Sequence, residues 1–214
     1  MNAELPEQLH IVKHPLLQHK LNLLRDVSTS RKTFRELVSE ITLLLAYEST
    51  KHLSLRKRTI KTPLETMEAE LLTEEDPVIV PILRAGLGMV DGLLTLLPTA
   101  RVGHIGLYRD ENTLEPHPYY IKIPKQSEQN TYFLCDPMLA TGGTVAHAAS
   151  QLKQRGIKNI ILICLVSAPE GVIHMCNAHP DIPIYTAVLD RQLNEHGYIL
   201  PGLGDAGDRL FGTL

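Results

Sequence analysis

Apolar residues recur at helical spacing through the N-terminal quarter of the chain. In residues 16–27 this spacing predicts one amphipathic helix. The residues that carry it are Leu16, Leu17, Leu21 and Leu24. Residues 30–48 repeat the pattern with Ser30 at the N-cap position, so a second helix is expected. We expect both helices to leave apolar faces exposed, which would favour self-association.

From residue 78 onward, continuous apolar runs alternate with stretches at helical spacing. The runs are residues 78–83, 101–108, 131–135, 159–166 and 182–190. The helical stretches are residues 87–97, 143–155 and 170–177. This alternation is typical of α/β proteins in which helices cover both faces of a parallel sheet. The polar segment 49–77 does not decide between short strands and irregular structure. No repeat or low-complexity linker divides the chain, so we expect a single domain over residues 1–214.

The composition is that of an ordinary globular protein. Hydrophobic residues make up 43%, charged residues 21%, and the net charge is −3, so no positive field indicates nucleic acid or an anionic membrane as a partner. Neither a membrane span nor a signal peptide is visible. Cys135, Cys164 and Cys176 form no CxxC pair. They indicate buried thiols in the reducing cytoplasm rather than a catalytic cysteine.

The segment LCDPMLATGGTV ends an apolar run at Asp136 and continues into a helix. Gly142 and Gly143 permit a backbone whose successive N–H groups point toward an anion. Thr141 and Thr144 add hydroxyl donors beside the positive end of the helix dipole. Phosphate on this loop and ribose hydroxyls on Asp136 would fit a sugar phosphate. A tight strand-to-helix turn capped by Asp136 fits equally well, because neither a Walker loop nor GxGxxG is present.

Two more segments follow apolar runs in a way that suits an anionic substrate. Arg84 comes directly after the first run, and Gly86 and Gly88 open the next helix. This loop is either a second anion site or an ordinary surface loop. Residues 108–124 are polar and turn-rich between two extended pieces, which predicts a hairpin flap with Arg109 at its base. A solvated hairpin is the alternative.

The C-terminal stretch 195–214 repeats glycine more often than a packed core requires. Such glycines let the backbone approach a flat ligand and read its edge with N–H and C=O groups. An irregular terminal wrap is the alternative, and Asp205 and Asp208 suit ligands, caps or solvated charges. The ten histidines are scattered without an HExxH motif, which argues against a zinc site.

Four segments resemble the motifs of the uracil phosphoribosyltransferase family, one of the type I phosphoribosyltransferases, and occur in its order. They are VKHPLLQHKL, PILRAGLGM, FLCDPMLATGGTV and HGYILPGLGDAGDRLFGT. The resemblance extends from Val12 to the end of the chain. It implies an α/β fold with a parallel sheet flanked by helices, a hood from the N- and C-terminal segments, and a β-hairpin flap. It also implies transfer of the 5-phosphoribosyl group from 5-phosphoribosyl 1-diphosphate to uracil in pyrimidine salvage, with Mg²⁺ as cofactor.

The resemblance assigns roles residue by residue. The implied catalytic residues are Arg84, Arg109 and Asp136. The implied phosphoribosyl diphosphate site comprises Arg84, Arg109, Asp136, Pro137, Met138, Leu139, Ala140, Thr141, Gly142, Gly143, Thr144 and Asp205. The implied uracil site comprises Ile199, Gly204, Asp205 and Ala206. Further implied partners are a second copy of the chain, in a homodimer or higher oligomer, and a nucleotide effector, GTP or CTP.

Pro137 departs from the broader type I pattern, which has a second acid at this position. The uracil enzymes share the proline, so it supports that subfamily and leaves Asp136 alone to hold the ribose. We therefore expect no direct metal ligand from this loop. Asp205 is the one candidate ligand, and substrate oxygens and water would supply most of the coordination of Mg²⁺.

Two other functions fit parts of the sequence. An RNA-binding pyrimidine regulator on the same fold would need a basic face. The one dense basic run, LRKRTIK at 55–61, is more typical of a solvated surface segment. A related enzyme acting on another base would share the glycine-rich tail, because backbone donors and acceptors alone do not specify a base.

Overall fold

The computed structural model describes residues 6–73, 76–109, 116–125 and 130–213. Within these ranges the helices are α1 (Pro15–Arg25), α2 (Arg31–Ser49), α3 (Leu87–Leu96), α4 (Gly143–Lys153), α5 (Pro169–Ala178) and α6 (Ala206–Phe211). The strands are β1 (Leu9–Ile11), β2 (Leu55–Lys61), β3 (Thr66–Leu72), β4 (Val78–Leu83), β5 (Arg101–Val102), β6 (His104–Arg109), β7 (Pro116–Lys122), β8 (Tyr132–Cys135), β9 (Met138–Leu139), β10 (Ile160–Ser167), β11 (Ile184–Leu189), β12 (Gln192–Leu193) and β13 (Ile199–Leu200).

The large sheet runs in the order β1-β11-β10-β8-β4-β6-β7, with β5 beside β4 and β9 beside β10. Its pairs are parallel except for β6 and β7, which are antiparallel. The carboxyl ends of β4, β8, β10 and β11 therefore lie along one edge. Parallel sheets of this kind collect ligands at that edge.

The central strands are apolar throughout because helices cover both faces of the sheet. All eight residues of β10 are buried, as parallel strands between two helical layers require. Alternate residues of one strand enter opposite layers. Ile79 belongs to the same core cluster as Leu21 and Phe34 of the N-terminal helices, whereas Val80 belongs to the cluster that contains Val145 of α4. The α/β class that the alternating pattern predicts is thereby confirmed.

The predicted helices and strands are found close to their expected bounds. Ser30 is the N-cap of α2, since its side chain accepts a hydrogen bond from the N–H of Thr33. The expected strand at 101–108 is divided into β5 and β6 at Gly103, where a side chain would collide with Pro124 and Ile123.

The expectation of exposed apolar faces on the two N-terminal helices is wrong. Leu17, Leu21 and Leu24 of α1 are at most 1% exposed, because this face packs into the core of the same chain. Leu16 lies off the buried face and is 46% exposed. The hydrophobic spacing of α1 and α2 is thus explained by intramolecular packing, and it no longer supports self-association.

The polar segment at 49–77 contains an antiparallel hairpin of β2 and β3, most of whose residues are exposed. Acidic residues lie on the strand opposite its basic run. Lys57 lies opposite Glu70, and the hydroxyl of Thr59 donates to the Glu68 carboxylate over 2.6 Å. The acids on β3 interrupt the positive charge of β2, which favours a solvated surface segment over a nucleic-acid surface. In the described parts of the chain, no helix combines the length and the apolar character needed to cross a membrane.

Candidate functional site at the carboxyl edge of the sheet

Arg84 and Asp136 directly follow neighbouring parallel strands. Pro81 of β4 lies opposite Cys135 of β8, so the residues that follow the two strands lie at the same edge of the sheet. Gly86 brings the two loops into contact, since a Cβ on it would stand 2.5 Å from the carbonyl oxygen of Cys135. The structure therefore brings together two of the predicted catalytic residues.

We call residues 136–144 the cradle loop. Its first residue, Asp136, is half-buried and accepts a hydrogen bond from the N–H of Met138 over 3.2 Å. Pro137 is buried, and its carbonyl accepts from the N–H groups of Leu165 and Val166, both at 3.1 Å. A charged side chain at that position would be buried against β10, so the site has room for only one acid there.

The cradle loop ends at the N-terminus of α4. Gly142 has a φ of +82° and provides no side-chain cap to the helix. The first N–H groups of α4 have no acceptor within the helix and carry a partial positive charge, so an anion can bind them. A Cβ on Gly143 would meet only the Thr141 hydroxyl, at 4.0 Å. The space beside the first turn of α4 is therefore open.

Helix α5 holds the cradle loop from behind. The N–H of Ala168 donates to the carbonyl of Leu139 over 2.9 Å, and Gly171 has no space for a Cβ because the Ala140 carbonyl touches it. Both interpretations of this loop are compatible with the structure. Asp136 does stabilise the turn through Met138, and the helix N-terminus nonetheless presents free donors to a ligand.

We call residues 192–213 the C-terminal segment. A Cβ on Gly197 would lie 3.8 Å from Thr141, so this segment contacts the cradle loop. Its other end meets Arg84. The guanidinium of Arg84 lies 3.7 Å from a carboxylate oxygen of Asp208, and a Cβ on Gly207 would stand 3.9 Å from the same guanidinium. The segment therefore spans both loops.

The predicted uracil residues lie on this segment around the start of α6. Ile199 and Ala206 are buried, whereas Gly204 and Asp205 are exposed. Asp205 is the N-cap of α6, because its carboxylate accepts from the N–H of Asp208 over 2.9 Å. Of the three roles that suit this acid, the structure shows the cap.

Arg109 is the last residue of β6, which pairs with β4 and so ends at the same edge. Its side chain lies outside the described residues, as do residues 110–115 of the predicted flap. The two extended pieces of that flap are present as the antiparallel pair β6 and β7.

One ion pair near the site was missed by the sequence-based reasoning. Asp190 follows β11 directly, as Asp136 follows β8, and it binds Arg25 at the end of α1 through both carboxylate oxygens. The same pair binds both main-chain polar groups of Gly202 in the C-terminal segment. An acid at the end of a buried strand was the available signal, but nothing local indicates Arg25 as its partner.

Cys135 precedes Asp136 but is fully buried. Burial, together with the charge of Asp136, raises the pKa of this thiol, and the pKa of Cys164 is raised in the same way. A thiolate nucleophile at either position is therefore unfavourable. The described residues contain no cluster of three or more histidine, cysteine, aspartate or glutamate side chains suited to a metal ion.

The sequence matches the family model described as uracil phosphoribosyltransferase over residues 11–213. Among curated proteins, a uracil phosphoribosyltransferase of Streptococcus mutans serotype c is 58% identical over 206 residues, which cover 96% of this chain and 99% of the relative. A uracil phosphoribosyltransferase of Dictyoglomus turgidum is 56% identical over 203 residues, covering 95% of this chain and 98% of the relative.

Solved structures give the same picture of the fold. A protein of Aquifex aeolicus is 38% identical, with a TM-score of 0.89, and the match covers 96% of this chain and 98% of that one. An adenine phosphoribosyl transferase of Trypanosoma brucei has a TM-score of 0.58 at 13% identity, covering 94% and 90% of the two chains. At that identity the second match supports the fold alone.

Proposed function

This chain belongs to the uracil phosphoribosyltransferase family, and we propose that the carboxyl edge of the sheet is where it carries out the reaction of that family. It is a glycosyltransferase that transfers the 5-phosphoribosyl group of 5-phosphoribosyl 1-diphosphate to uracil, giving UMP and diphosphate. One observation carries the placement of the site. Arg84 and Asp136 end neighbouring strands, and the C-terminal segment contacts both of their loops.

The cradle loop is the proposed site of the ribose 5-phosphate. The open N-terminus of α4 suits the phosphate, with Thr141 and Thr144 as hydroxyl donors. Asp136 lies at the other end of the loop, where a carboxylate can accept hydrogen bonds from the two ribose hydroxyls. This separation keeps the acid away from the phosphate.

Arg84 and Arg109 are proposed to hold the diphosphate. Arg84 is exposed, and its guanidinium lies 3.7 Å from the Asp208 carboxylate, a contact that a diphosphate can replace. Because diphosphate carries several negative charges, it would bind a guanidinium more strongly than the single, half-buried carboxylate of Asp208 does. Charge on the leaving group grows as its bond to the ribose breaks, so these arginines stabilise the transition state more than the ground state.

The base is proposed to lie against Ile199, Gly204, Asp205 and Ala206, whose backbone would read its edge. The exposed backbone at Gly204 has a φ of +79°, which a residue with a side chain would rarely adopt. Uracil attacks from the face of the ribose opposite the diphosphate. No general base is assigned, because leaving-group departure and positioning account for the chemistry.

Mg²⁺ is proposed as the cofactor. The donor set fits an ion that keeps water and binds mainly through substrate oxygens, because Asp136 and Asp205 each already accept a backbone N–H and Pro137 offers no carboxylate. Asp205 is the one protein ligand we propose. When bound, Mg²⁺ would supply additional positive charge to the leaving diphosphate.

The assembly, regulation and location of the protein stay predictions. A homodimer or higher oligomer is supported by exposed apolar residues on the β2–β3 hairpin, among them Met67, Leu71 and Leu72 at 40–43% exposure. Light scattering of the purified chain tests this.

GTP or CTP as effector would be tested by turnover with each nucleotide. The three free thiols support the predicted cytoplasmic location.

The decisive experiment is a turnover screen with uracil, hypoxanthine, guanine, adenine and orotate, each with 5-phosphoribosyl 1-diphosphate and Mg²⁺. We expect turnover of uracil alone. Arg109→Ala and Asp136→Asn should each lower kcat/KM strongly. Turnover of a purine in place of uracil would overturn the substrate, and unchanged turnover in both variants would overturn the site. Salt-dependent retention of RNA would revive the regulator as a second function.

A further inference from the structure

We propose that Arg25 and Asp190 are positioning residues for uracil. Their ion pair fixes Gly202, and through Gly202 it fixes the backbone on either side that is proposed to read the base. The inference rests on the proposed function, because it takes Ile199, Gly204, Asp205 and Ala206 as the uracil site.

The ion pair has the geometry of a rigid clamp. One guanidinium nitrogen of Arg25 is 2.7 Å from the first carboxylate oxygen of Asp190, and another is 2.9 Å from the second oxygen. The side chain of Asp190 is 4% exposed and that of Arg25 is 18% exposed. A bidentate pair with so little contact to water holds its two partners in one relative orientation.

The clamp also binds both polar main-chain groups of a single residue. Arg25 donates to the carbonyl of Gly202 over 2.6 Å, and the N–H of Gly202 donates to Asp190 over 2.9 Å. Gly202 has a φ of +62°, and a Cβ on it would clash with the carbonyl oxygen of Ile199. The position of Ile199 is therefore coupled to the position of Gly202.

The clamp connects the base-reading backbone to the rigid part of the fold. Asp190 immediately follows β11, and Arg25 is the last residue of α1, so the sheet and a core helix both restrain the segment. Leu203, between Gly202 and Gly204, is restrained separately, because its carbonyl accepts from Arg209 over 2.9 Å. The cradle loop is instead held by β10 and α5. Loosening the clamp should therefore weaken recognition of the base more than recognition of the phosphoribosyl group.

Steady-state kinetics with both substrates varied tests this inference in Arg25→Lys and Asp190→Asn. Lysine keeps the charge but cannot bind two carboxylate oxygens and a carbonyl as a planar fork does. We expect the KM for uracil to rise about 10- to 100-fold, as for loss of a buried charged hydrogen bond. The KM for 5-phosphoribosyl 1-diphosphate should stay within about twofold, because the cradle loop keeps its own supports.

Lys153→Met is the matched control. It breaks the ion pair between Lys153 and Asp181. Lys153 is the last residue of α4, at the end of the helix away from the cradle loop, so neither KM should change. Arg25→Met should exceed Arg25→Lys in its effect on uracil, because methionine retains no charge for Asp190. If Asp190→Asn fails to fold, Arg25→Lys carries the test.

The possible failures are distinguishable. A wild-type chain without uracil turnover would overturn the proposed function, and with it the premise of this inference. A wild-type chain that uses uracil, combined with folded variants whose two KM values rise equally or not at all, would overturn the positioning role alone.

Discussion

The cradle loop and the C-terminal segment meet at one site but are held in different ways. The cradle loop is stabilised by near neighbours, such as the bond from Met138 to Asp136 two residues away, and by the adjacent strand. The C-terminal segment depends on side chains from the other end of the chain. Arg25 binds Gly202 across 177 positions, and Arg35 binds the carbonyl of Leu210 across 175.

The two parts of the site that are proposed to bind the two substrates therefore differ in how they are supported. The half that is proposed to bind the phosphoribosyl group is a contiguous strand-loop-helix unit, held by its neighbours β10 and α5. The half that is proposed to bind the base is held in place by side chains of α1 and α2. Substitutions of the ligand-facing side chains in the first half should therefore affect chemistry with little effect on stability, and substitutions of the supporting side chains in the second half should affect both.

The largest expected effect is that of Asp136→Asn on catalysis. Asparagine preserves the shape and can still accept the N–H of Met138, but it removes the charge proposed to hold the ribose. We expect kcat/KM to fall about 100-fold or more, with the free energy of unfolding changed by less than about 1 kcal/mol. Initial rates and urea denaturation measure the two quantities. Asp181→Asn, far from the site, is the control, and equal rates for Asp136→Asn and wild type would contradict the assignment.

The next effect compares Asp190→Ala with Asp136→Ala by their free energies of unfolding. Removal of Asp190 leaves Arg25 largely buried without its carboxylate, which costs about 3–5 kcal/mol. Removal of the half-buried Asp136 loses the turn hydrogen bond from Met138, a cost of about 1 kcal/mol. Urea denaturation of both variants gives the difference. If Asp136→Ala were the more destabilised of the two, the comparison between local and long-range support would be wrong.

A smaller effect is expected on the free energy of unfolding when two adjacent glycines of the cradle loop are replaced by alanine. Gly142→Ala forces a φ of +82° on alanine and places its Cβ 2.8 Å from the carbonyl of Gly171, so we expect a loss of about 1–3 kcal/mol. Gly143→Ala is the matched variant, because its Cβ enters open space at the start of a helix. Its stability should stay within about 0.5 kcal/mol of wild type. Thermal melts of both variants decide, and equal losses would show that the loop is strained throughout.

The same contrast explains what the sequence could predict. The buried strands and most helices followed from hydrophobic periodicity, because each satisfies its own backbone and presents one apolar face. The cradle loop followed from the residues between Asp136 and Thr144, which are contiguous. The position of Arg84 beside the cradle loop, by contrast, depends on the parallel pairing of β4 with β8.

The clamp could not be predicted in the same way. Asp190 resembles Asp136 in the sequence, since both end an apolar run. Only the packing of α1 against the end of β11 distinguishes a buried, paired carboxylate from one that faces a ligand. The apolar faces of α1 and α2 illustrate the same limit, because spacing predicts a face but does not identify the surface that covers it.

The smallest expected effect is on the alkylation of the cysteines. It tests whether solvent reaches the core beneath the cradle loop. Cys135 and Cys164 are fully buried, and burial raises the pKa of both thiols. At pH 7 to 8 both should therefore be protonated and inaccessible to iodoacetamide. Burial also raises the pKa of Cys176, but this thiol is only partly buried. Because it is the most accessible of the three, it should be alkylated first. Mass spectrometry of the labelled, native protein locates the adducts, and a urea-unfolded sample is the control in which all three react. Turnover should be unaffected by the label on Cys176, and rapid labelling of Cys135 in the native protein would show that the end of β8 opens to solvent.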